Sequence, residues 1–450
     1  MCMHRIIRAA TVSLALLFVS SPIFGQETSF SLYSSVLYEH FSFLSDLSER
    51  DGTTIDARNE VGFAPKLEFA HSAFDAVAAL EYIEDLSDDS RSKIYLREGY
   101  IDLIFDTWDV RVGRQFIAWG RADAIKPTDQ FKRRDYTDLT EDREEATLAV
   151  KGDYYVGNWT LEGVWAPVFE EDILPYNIEN RWVLLPTTRS IPISEQGDMA
   201  EFNLLYQIDL GRTPPKTSES SQAGLRLSGD YGGWDLGLMY AYSYDRIPTF
   251  VEEEIVSLDP EKREALVRVT PRYKRIQVAG FDWATTLSKL GLRGELAYTL
   301  TEDRDGTDPQ IDDPYLRVVG GIDYNFVDLI KDWDLFTIVQ YALDTEVPKH
   351  GKSNQEGGGV SSYRHFYQHA ILLNAEFEFS EFSKLALQGI VNVEEGDYLL
   401  QPEFSWGLAD GLNLTFGVDI LGGGEDTFFG FFGSNDRIRI GLKSDSSFIP

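Results

Sequence analysis

Between Arg111 and Arg143 the chain gathers Arg111, Arg114, Arg121, Lys126, Lys132, Arg133, Arg134 and Arg143, in a molecule of formal net charge -33. Arg presents a planar fork that suits carboxylates, and Lys a point charge. Acids run through the same stretch: Asp123, Asp129, Asp135, Asp138, Glu141 and Asp142. Such a cluster has two uses. Paired internally, it is a salt-bridged plug. Left open, it is a positive track for anionic or hydroxylated solutes, because rings of charge set pore selectivity. Acids opposing bases across a passage would also create a transverse field. The candidate constriction or substrate-contacting residues are therefore Arg111, Arg114, Gln115, Arg121, Asp123, Lys126, Asp129, Lys132, Arg133, Arg134 and Asp135. Lys132, Arg133 and Arg134 cannot all face one way on a regular element. Some are expected to pair with Asp129, Asp135, Asp138 or the Glu141–Asp142 pair.

Other chemistry is thinner. The acidic run from Glu302 to Asp313 lacks the spacing and closing Glu of an EF-hand, and reads as a solvated loop rather than a calcium site. His365 and His369 are four apart, but on a strand or loop that spacing does not bring two rings together. His40, His71, His350, His365 and His369 fall in no lipase or protease motif, and no enzymatic activity is expected. No catalytic residue, metal site or cofactor is expected.

What could position the charged stretch is read from the rest of the chain. Residues 1–25 show the order of a secretory signal peptide: Arg5 and Arg8, an apolar run from Ala9 to Val19, then a breaker segment with Pro22. Cleavage near Gly25–Gln26 would remove the single cysteine, Cys2, so the remainder could form no disulfide or thiolate site. Residues 26–450 then form one domain. No later segment offers the apolar length of a transmembrane helix. Aromatic content is high at 13%, while hydrophobic content is an ordinary 43%.

The dominant pattern is alternation over about ten residues, repeated along the chain. Trp234, Leu236, Leu238, Tyr240, Tyr242 and Tyr244 share one face; Asp235, Gly237, Ala241 and Ser243 share the other. Leu412 to Ile420 and Leu290 to Leu300 repeat it. Strands are expected near 30–44, 57–70, 73–84, 93–106, 108–118, 144–153, 158–168, 221–231, 233–245, 273–287, 290–300, 315–326, 333–344, 366–379, 384–394, 397–407, 411–421 and 436–448. Their connections alternate between short and long, apart from a short one at 394–397. Strand length, Tyr and Trp near strand ends, and this alternation favour an all-β transmembrane antiparallel barrel of about 18 strands over a soluble sandwich. Short turns would be periplasmic and long loops extracellular. The connection 169–220 is assigned to one loop, because one added wall strand would reverse the phase of all that follow. The stretches 246–272 and 345–365 read as exposed loops. By this parity 119–143 leaves the extracellular end of the fifth strand. It is expected to fold into a lumen too wide for wall side chains to fill.

The sequence Gly113-Arg114-Gln115, with Trp119-Gly120, Asp123, Pro127 and Asp129, resembles the signature of an uncharacterised family of porin-like outer-membrane barrels of Gram-negative bacteria. That family lies near alginate-export and substrate-specific porins. Ser221 to Leu227, and Ala409 to Leu414 with Asp436-Arg437, are similar too. The resemblance implies an integral outer-membrane barrel without naming a substrate. The expected function is a porin-like channel for small hydrophilic, anionic or carbohydrate solutes. The alternatives are an export conduit for polysaccharide or apolar cargo working with a partner system, and a plugged surface or adhesin barrel. Expected partners are outer-membrane lipid, the barrel assembly machinery and a small solute. No nucleic acid is expected, and the oligomeric state is open.

Overall fold

The computed structural model describes residues 28–44, 57–87, 91–141, 143–176, 180–183, 188–192, 199–208, 214–305, 307–308, 311–330, 332–347, 365 and 367–448. The signal-peptide reading of 1–25, Asp142 and most of 345–365 lie outside them. The strands in order are β1 (Thr28–Phe43), β2 (Ala57–His71), β3 (Phe74–Asp85), β4 (Lys93–Ile104), β5 (Trp108–Gln115), β6 (Arg133–Asp135), β7 (Arg143–Glu145), β8 (Thr147–Val156), β9 (Trp159–Ala166), β10 (Thr188–Pro192), β11 (Met199–Ile208) and β12 (Gln222–Tyr231). They continue with β13 (Trp234–Tyr244), β14 (Thr249–Asp259), β15 (Glu264–Arg272), β16 (Arg275–Leu287), β17 (Leu290–Leu300), β18 (Tyr315–Ile330), β19 (Trp333–Glu346), β20 (His369–Ser380), β21 (Ser383–Asn392), β22 (Tyr398–Ala409), β23 (Leu412–Gly422) and β24 (Arg437–Phe448).

Eighteen of these form one antiparallel sheet, and β1 pairs with both β2 and β24. The closing seam runs from Leu32 opposite Phe448 to Phe43 opposite Arg437. A sheet that closes on itself has no free edge, the condition for crossing a bilayer with strands. The expected strands all appear in order.

The side chains follow the alternation, turned inside out relative to a soluble protein. Leu225, Leu227, Leu238, Tyr240, Phe281, Leu296 and Tyr341 are exposed on the outside, while Glu60, Asp282, Glu295, Gln340, Asp419 and Arg437 are buried within. An apolar exterior around a charged interior is what lipid outside and a polar lumen require. At the short-turn end aromatic rings form a belt: Phe105 stacks on Trp108 at 3.9 Å, and Trp234 approaches Trp283 at 5.7 Å. No helix among the described residues is long and apolar enough to cross a membrane.

Three expectations fail. The connection 169–220 is not plain loop, and 246–272 is not an exposed irregular one. They supply β10, β11, β14 and β15, which form a separate sheet in the order β10-β11-β15-β14, with β11 and β15 parallel. Ile191, Phe202, Leu204, Ala265, Val267 and Val269 form its apolar core. The period-two signal in 264–269 is present, but the acids and bases around it give it the look of solvated loop. Parity survives because β10 and β11 lie outside the wall and both fall within one connection. The acidic run 302–313 also departs from a solvated loop. Asp303 and Asp313 are buried, and Asp303 accepts the Asp308 N–H at 2.7 Å.

Candidate pore constriction

The chain enters the lumen at the end of β5. Gly113 has φ 137°, and a Cβ there would lie 2.2 Å from the Gly99 carbonyl oxygen, so only glycine fits. Gln115 is fully buried and donates to the Ala149 carbonyl at 3.1 Å. Beyond it, Ile117, Trp119 and Phe131 pack against small inward residues of the wall, among them Ala149, Ala166, Ala241, Val278 and Ala297. The small face read from the sequence is thus a seat for the loop. At Gly224 a Cβ would meet the Trp119 ring at 2.7 Å and the Phe131 ring at 2.8 Å.

A wall carboxylate pins the next turn. Glu295 of β17 accepts the N–H groups of Arg121 (2.6 Å), Ala122 (2.7 Å) and Thr128 (3.1 Å), and the Thr128 hydroxyl (2.7 Å). Gly120, at φ 90°, lets the backbone come this close, since a Cβ would stand 2.4 Å from the carboxylate. The Trp119 indole donates to Glu162 of β9. Asp123 accepts from Arg293 of β17 at 2.9 Å and Gln340 of β19 at 3.3 Å. Farther on, Asp138 takes Arg58 of β2 at 2.9 Å and Arg437 of β24 at 2.6 Å. Burial alone would raise Asp138, but Arg437 and Arg58 hold it well below the ordinary carboxylate range. Gln401 of β22 donates to the Thr140 carbonyl at 3.0 Å, and Arg143 reaches Glu60 of β2 at 3.2 Å. The loop is fastened to strands all round the barrel.

The cations singled out from the sequence are mostly engaged. Arg111 pairs with Asp102 at 2.5 Å and lies over the Tyr100 ring. Arg114 donates to the Ala146 carbonyl at 2.7 Å and to Glu170 at 2.6 Å, near the rim where strand parity puts it. Arg121 pairs with Asp282 at 3.0 Å. Some of Lys132, Arg133 and Arg134 are expected to pair with Asp129, Asp135, Asp138 or the Glu141–Asp142 pair; for Lys132 and Arg133 the contacts seen are with other partners. Lys132 binds Glu144; Arg133 donates to the Glu171 carbonyl at 3.1 Å and approaches Glu170 at 4.0 Å. Asp135 goes to Lys93 at 3.0 Å. Sequence order could not show this, because the partners arrive from other strands and from the 169–176 connection. That connection runs beside the loop: Ile173 donates to the Arg134 carbonyl at 2.9 Å and Tyr136 to the Ile173 carbonyl at 2.8 Å.

The loop narrows the lumen without filling it. One cavity of about 360 Å³ lies between the loop and the β16–β23 wall. Lys126, Asp129, Lys132, Arg134 and Asp135 line it, joined by Arg246, Arg317, Asp172, Tyr367, Ile390, Leu399, Phe428 and Phe429. A second, of about 420 Å³, lies against β1–β4 and is lined by Glu39, Glu81, Arg97, Phe116, Glu141, Arg143 and Glu144. Of the eleven candidates, Arg111, Arg114, Gln115, Arg121, Asp123 and Arg133 line neither cavity; they anchor the loop or lie along the wall. In the first cavity Asp129 accepts the Trp119 N–H at 3.3 Å, and its other carboxylate oxygen is enclosed without a hydrogen-bond partner. Burial raises this carboxyl to about 7, against the pull of Lys132.

Sequence reasoning missed Arg246, Asp172 and the apolar wall. Arg246 opens a stretch that looks solvated, and no spacing marks it. Trp182 and Val183, in the long connection, join the core cluster with Leu399, Leu421, Phe428 and Phe432. His365 and His369 diverge: His365 lies between Asp344 (2.9 Å) and Asp312 (3.4 Å), while His369 faces Tyr341 and Glu394.

A closed 18-stranded barrel, apolar outside and charged inside, with a loop folded into the lumen, defines a porin-like integral barrel of the outer-membrane type. The family described as "Protein of unknown function (DUF1302)" matches residues 84–416, and the chain belongs to it. No curated protein sequence matches. Solved structures do: Acinetobacter baumannii OccAB4 at 9% identity and TM-score 0.50, covering 95% of this chain and 100% of that one. A BenF-like porin from Pseudomonas fluorescens Pf-5 is similar at 8% identity and TM-score 0.51, covering 95% and 100%. Pseudomonas aeruginosa OccK2 in complex with glucuronate is similar at 10% identity and TM-score 0.50, covering 95% and 99%. At these identities the likeness is one of fold.

Proposed function

We propose that this protein is a diffusion channel of the outer membrane, entered after removal of residues 1–25, that passes small hydrophilic solutes, anionic or carbohydrate in kind. One observation carries the reading: the inward loop is fixed to strands all round the barrel yet leaves charge-lined cavities on two sides of it. A fully plugged or purely structural barrel has no use for such space. Residues Lys126, Lys132 and Arg134, with Asp129 and Asp135, are the proposed contacts for a passing solute, and Arg111, Arg114, Gln115, Arg121, Asp123 and Arg133 hold the constriction that presents them. The mixed charge suits hydroxylated or carboxylated solutes, which can meet donors and acceptors together. The similar OccK2 structure holds glucuronate, a solute with both groups.

Single-channel recording in planar bilayers tests the proposal. Discrete conductance steps from purified, correctly folded protein are expected. Folded protein that never conducts would overturn it and leave the export conduit or the plugged surface barrel.

A further inference from the structure

The hairpin β14–β15 continues the wall pair β13–β16 beyond the long-loop end of the barrel. The wall ladder ends at Tyr244 opposite Arg275, and the Asp245 N–H still reaches the Lys274 carbonyl at 2.9 Å. Pairing restarts at Thr249 opposite Arg272. Asp245, Arg246, Ile247 and Pro248 on one side therefore match Tyr273 and Lys274 on the other. Extra residues in one strand bend a ladder, and Pro248 has no N–H to donate to it. Ile247, within the bend, belongs to the apolar cluster that holds Trp182, Leu399, Leu421, Phe428 and Phe432. Tyr206 and Ile208 of β11 pack both on that cluster and on the core of their own sheet. Leu421 lies on β23, the eighth strand after β13 when β16, β17, β18, β19, β20, β21, β22 and β23 are counted in turn round the ring of eighteen. A sheet rooted on one wall thus bears on residues of the nearly opposite one. Leu399, Phe428 and Phe429 also line the 360 Å³ cavity, so the sheet lies across the approach to it from the long-loop side.

The connection that supplies β10 and β11 is held at the far rim by a clasp. Arg181 donates from Nε to the Asn435 side-chain oxygen at 3.1 Å and from a terminal nitrogen to the Ser434 carbonyl at 2.8 Å. The Asn435 amide returns a bond to the Arg181 carbonyl at 2.8 Å, and Trp182 meets the Phe432 ring at 5.4 Å. Asn435 leads into β24, one strand beyond β23 and half-way round the ring from β13. Water can replace such hydrogen bonds at small net cost, whereas the hinge side is held by two covalent chain segments. We propose that the β10-β11-β15-β14 sheet is a lid on the long-loop mouth of the barrel, hinged at Asp245–Pro248 with Tyr273–Lys274 and clasped to the far rim by Arg181 and Asn435. Hinges are a few residues at element ends that absorb the change in backbone angles, as these do. Closed, the lid covers the approach to the cavity; open, it admits solute. It rests on the channel reading for its purpose and on the fold alone for its motion.

The chain's single cysteine is Cys2, so thiol chemistry can be directed in a Cys2→Ser background. Spin labels at Glu201→Cys on β11 and Glu425→Cys in the 422–436 connection, both exposed positions, report the lid-to-rim distance by pulsed electron paramagnetic resonance in liposomes. Breaking the clasp with Arg181→Ala and Asn435→Ala should add a second, longer distance. An unchanged distribution in that variant, shown to be folded by heat-modifiable gel migration, would overturn the hinge. In a separate protein Arg181→Cys and Asn435→Cys are joined by a short bis-methanethiosulfonate, and single-channel current is read before and after a thiol reductant. The joined lid should cut the open time about tenfold or more, and reductant should restore it. Conduction that is the same with the lid joined and released sinks the lid and spares the channel. A lid that moves on a barrel that never conducts does the reverse.

Discussion

Glu295 offers the sharpest perturbation of the constriction. Its carboxylate is buried and takes three backbone N–H groups and one hydroxyl from the loop, two on each oxygen. Glu295→Ala removes every acceptor at once. Each buried donor left unmade costs about 1–3 kcal/mol, so three backbone donors amount to about 3–6 kcal/mol once water entry and non-additivity are allowed for. The loss falls on the loop, because the β16–β17 and β17–β18 ladders do not pass through this side chain. A loss of about 4 kcal/mol changes the loop-opening equilibrium roughly a thousandfold. Glu295→Gln keeps one acceptor oxygen and turns an amide toward the other donors, so it should lie between wild type and Ala. The expected record is a barrel that still migrates as folded, with larger and noisier single-channel currents and faster proteolysis between Gly120 and Arg143. Quiet, wild-type currents from Glu295→Ala would refute the idea that this carboxylate sets the constriction.

Replacing Lys132, Arg133 and Arg134 together by Ala removes three positive charges and releases Glu144, while Arg114 still holds Glu170, so the potassium-to-chloride permeability ratio should rise about twofold or more, read from reversal potentials in a salt gradient; an unchanged ratio would reduce them to fasteners. Arg437 is wholly buried between Asp419 and Asp138, both at 2.6 Å. Arg437→Ala removes the shortest ion pair from two buried carboxylates, leaving Asp138 with Arg58 and Asp419 with Arg439, at a cost of up to about 3–5 kcal/mol, and should lower the temperature at which the barrel loses its folded migration. His365 carries a pH dependence. Burial opposes its charge, but the Asp344 and Asp312 carboxylates outweigh it and raise the imidazole to about 9. A raised histidine stabilises fully below its unfolded value, near 6.5, and that contribution is lost as pH rises through about 9. Exchange protection around His365, corrected for the intrinsic base-catalysed rate, should therefore fall as pH rises from about 6.5 to about 9 and then level off, and His365→Gln should flatten the profile; wild-type protection unchanged from pH 6 to 10 would refute the clamp.

Much of the wall was legible along the chain. Alternation sets which side chains face lipid, and turn lengths set the phase, so Leu238 and Tyr240 could be placed outside and Ala241 and Ser243 inside without a structure. The position of the 119–143 loop followed from counting strands. Its seat was half visible, since the small residues Gly224 and Ala241 were on the inner face but their contact with Trp119 and Phe131 was not. The β14–β15 hairpin was missed because charged neighbours hid a period-two signal, and that signal says strand without saying which sheet.

By itself, then, the sequence determined the barrel, its count and the place of its charged loop, because alternation and turn length are local properties that survive in one dimension. Only the tertiary structure decided what the charges do. Glu295 lies 174 positions from Arg121, and Arg437 lies 299 from Asp138. Ion pairs are formed by neighbours in space, and closing a sheet into a ring makes neighbours of residues from opposite ends of the chain.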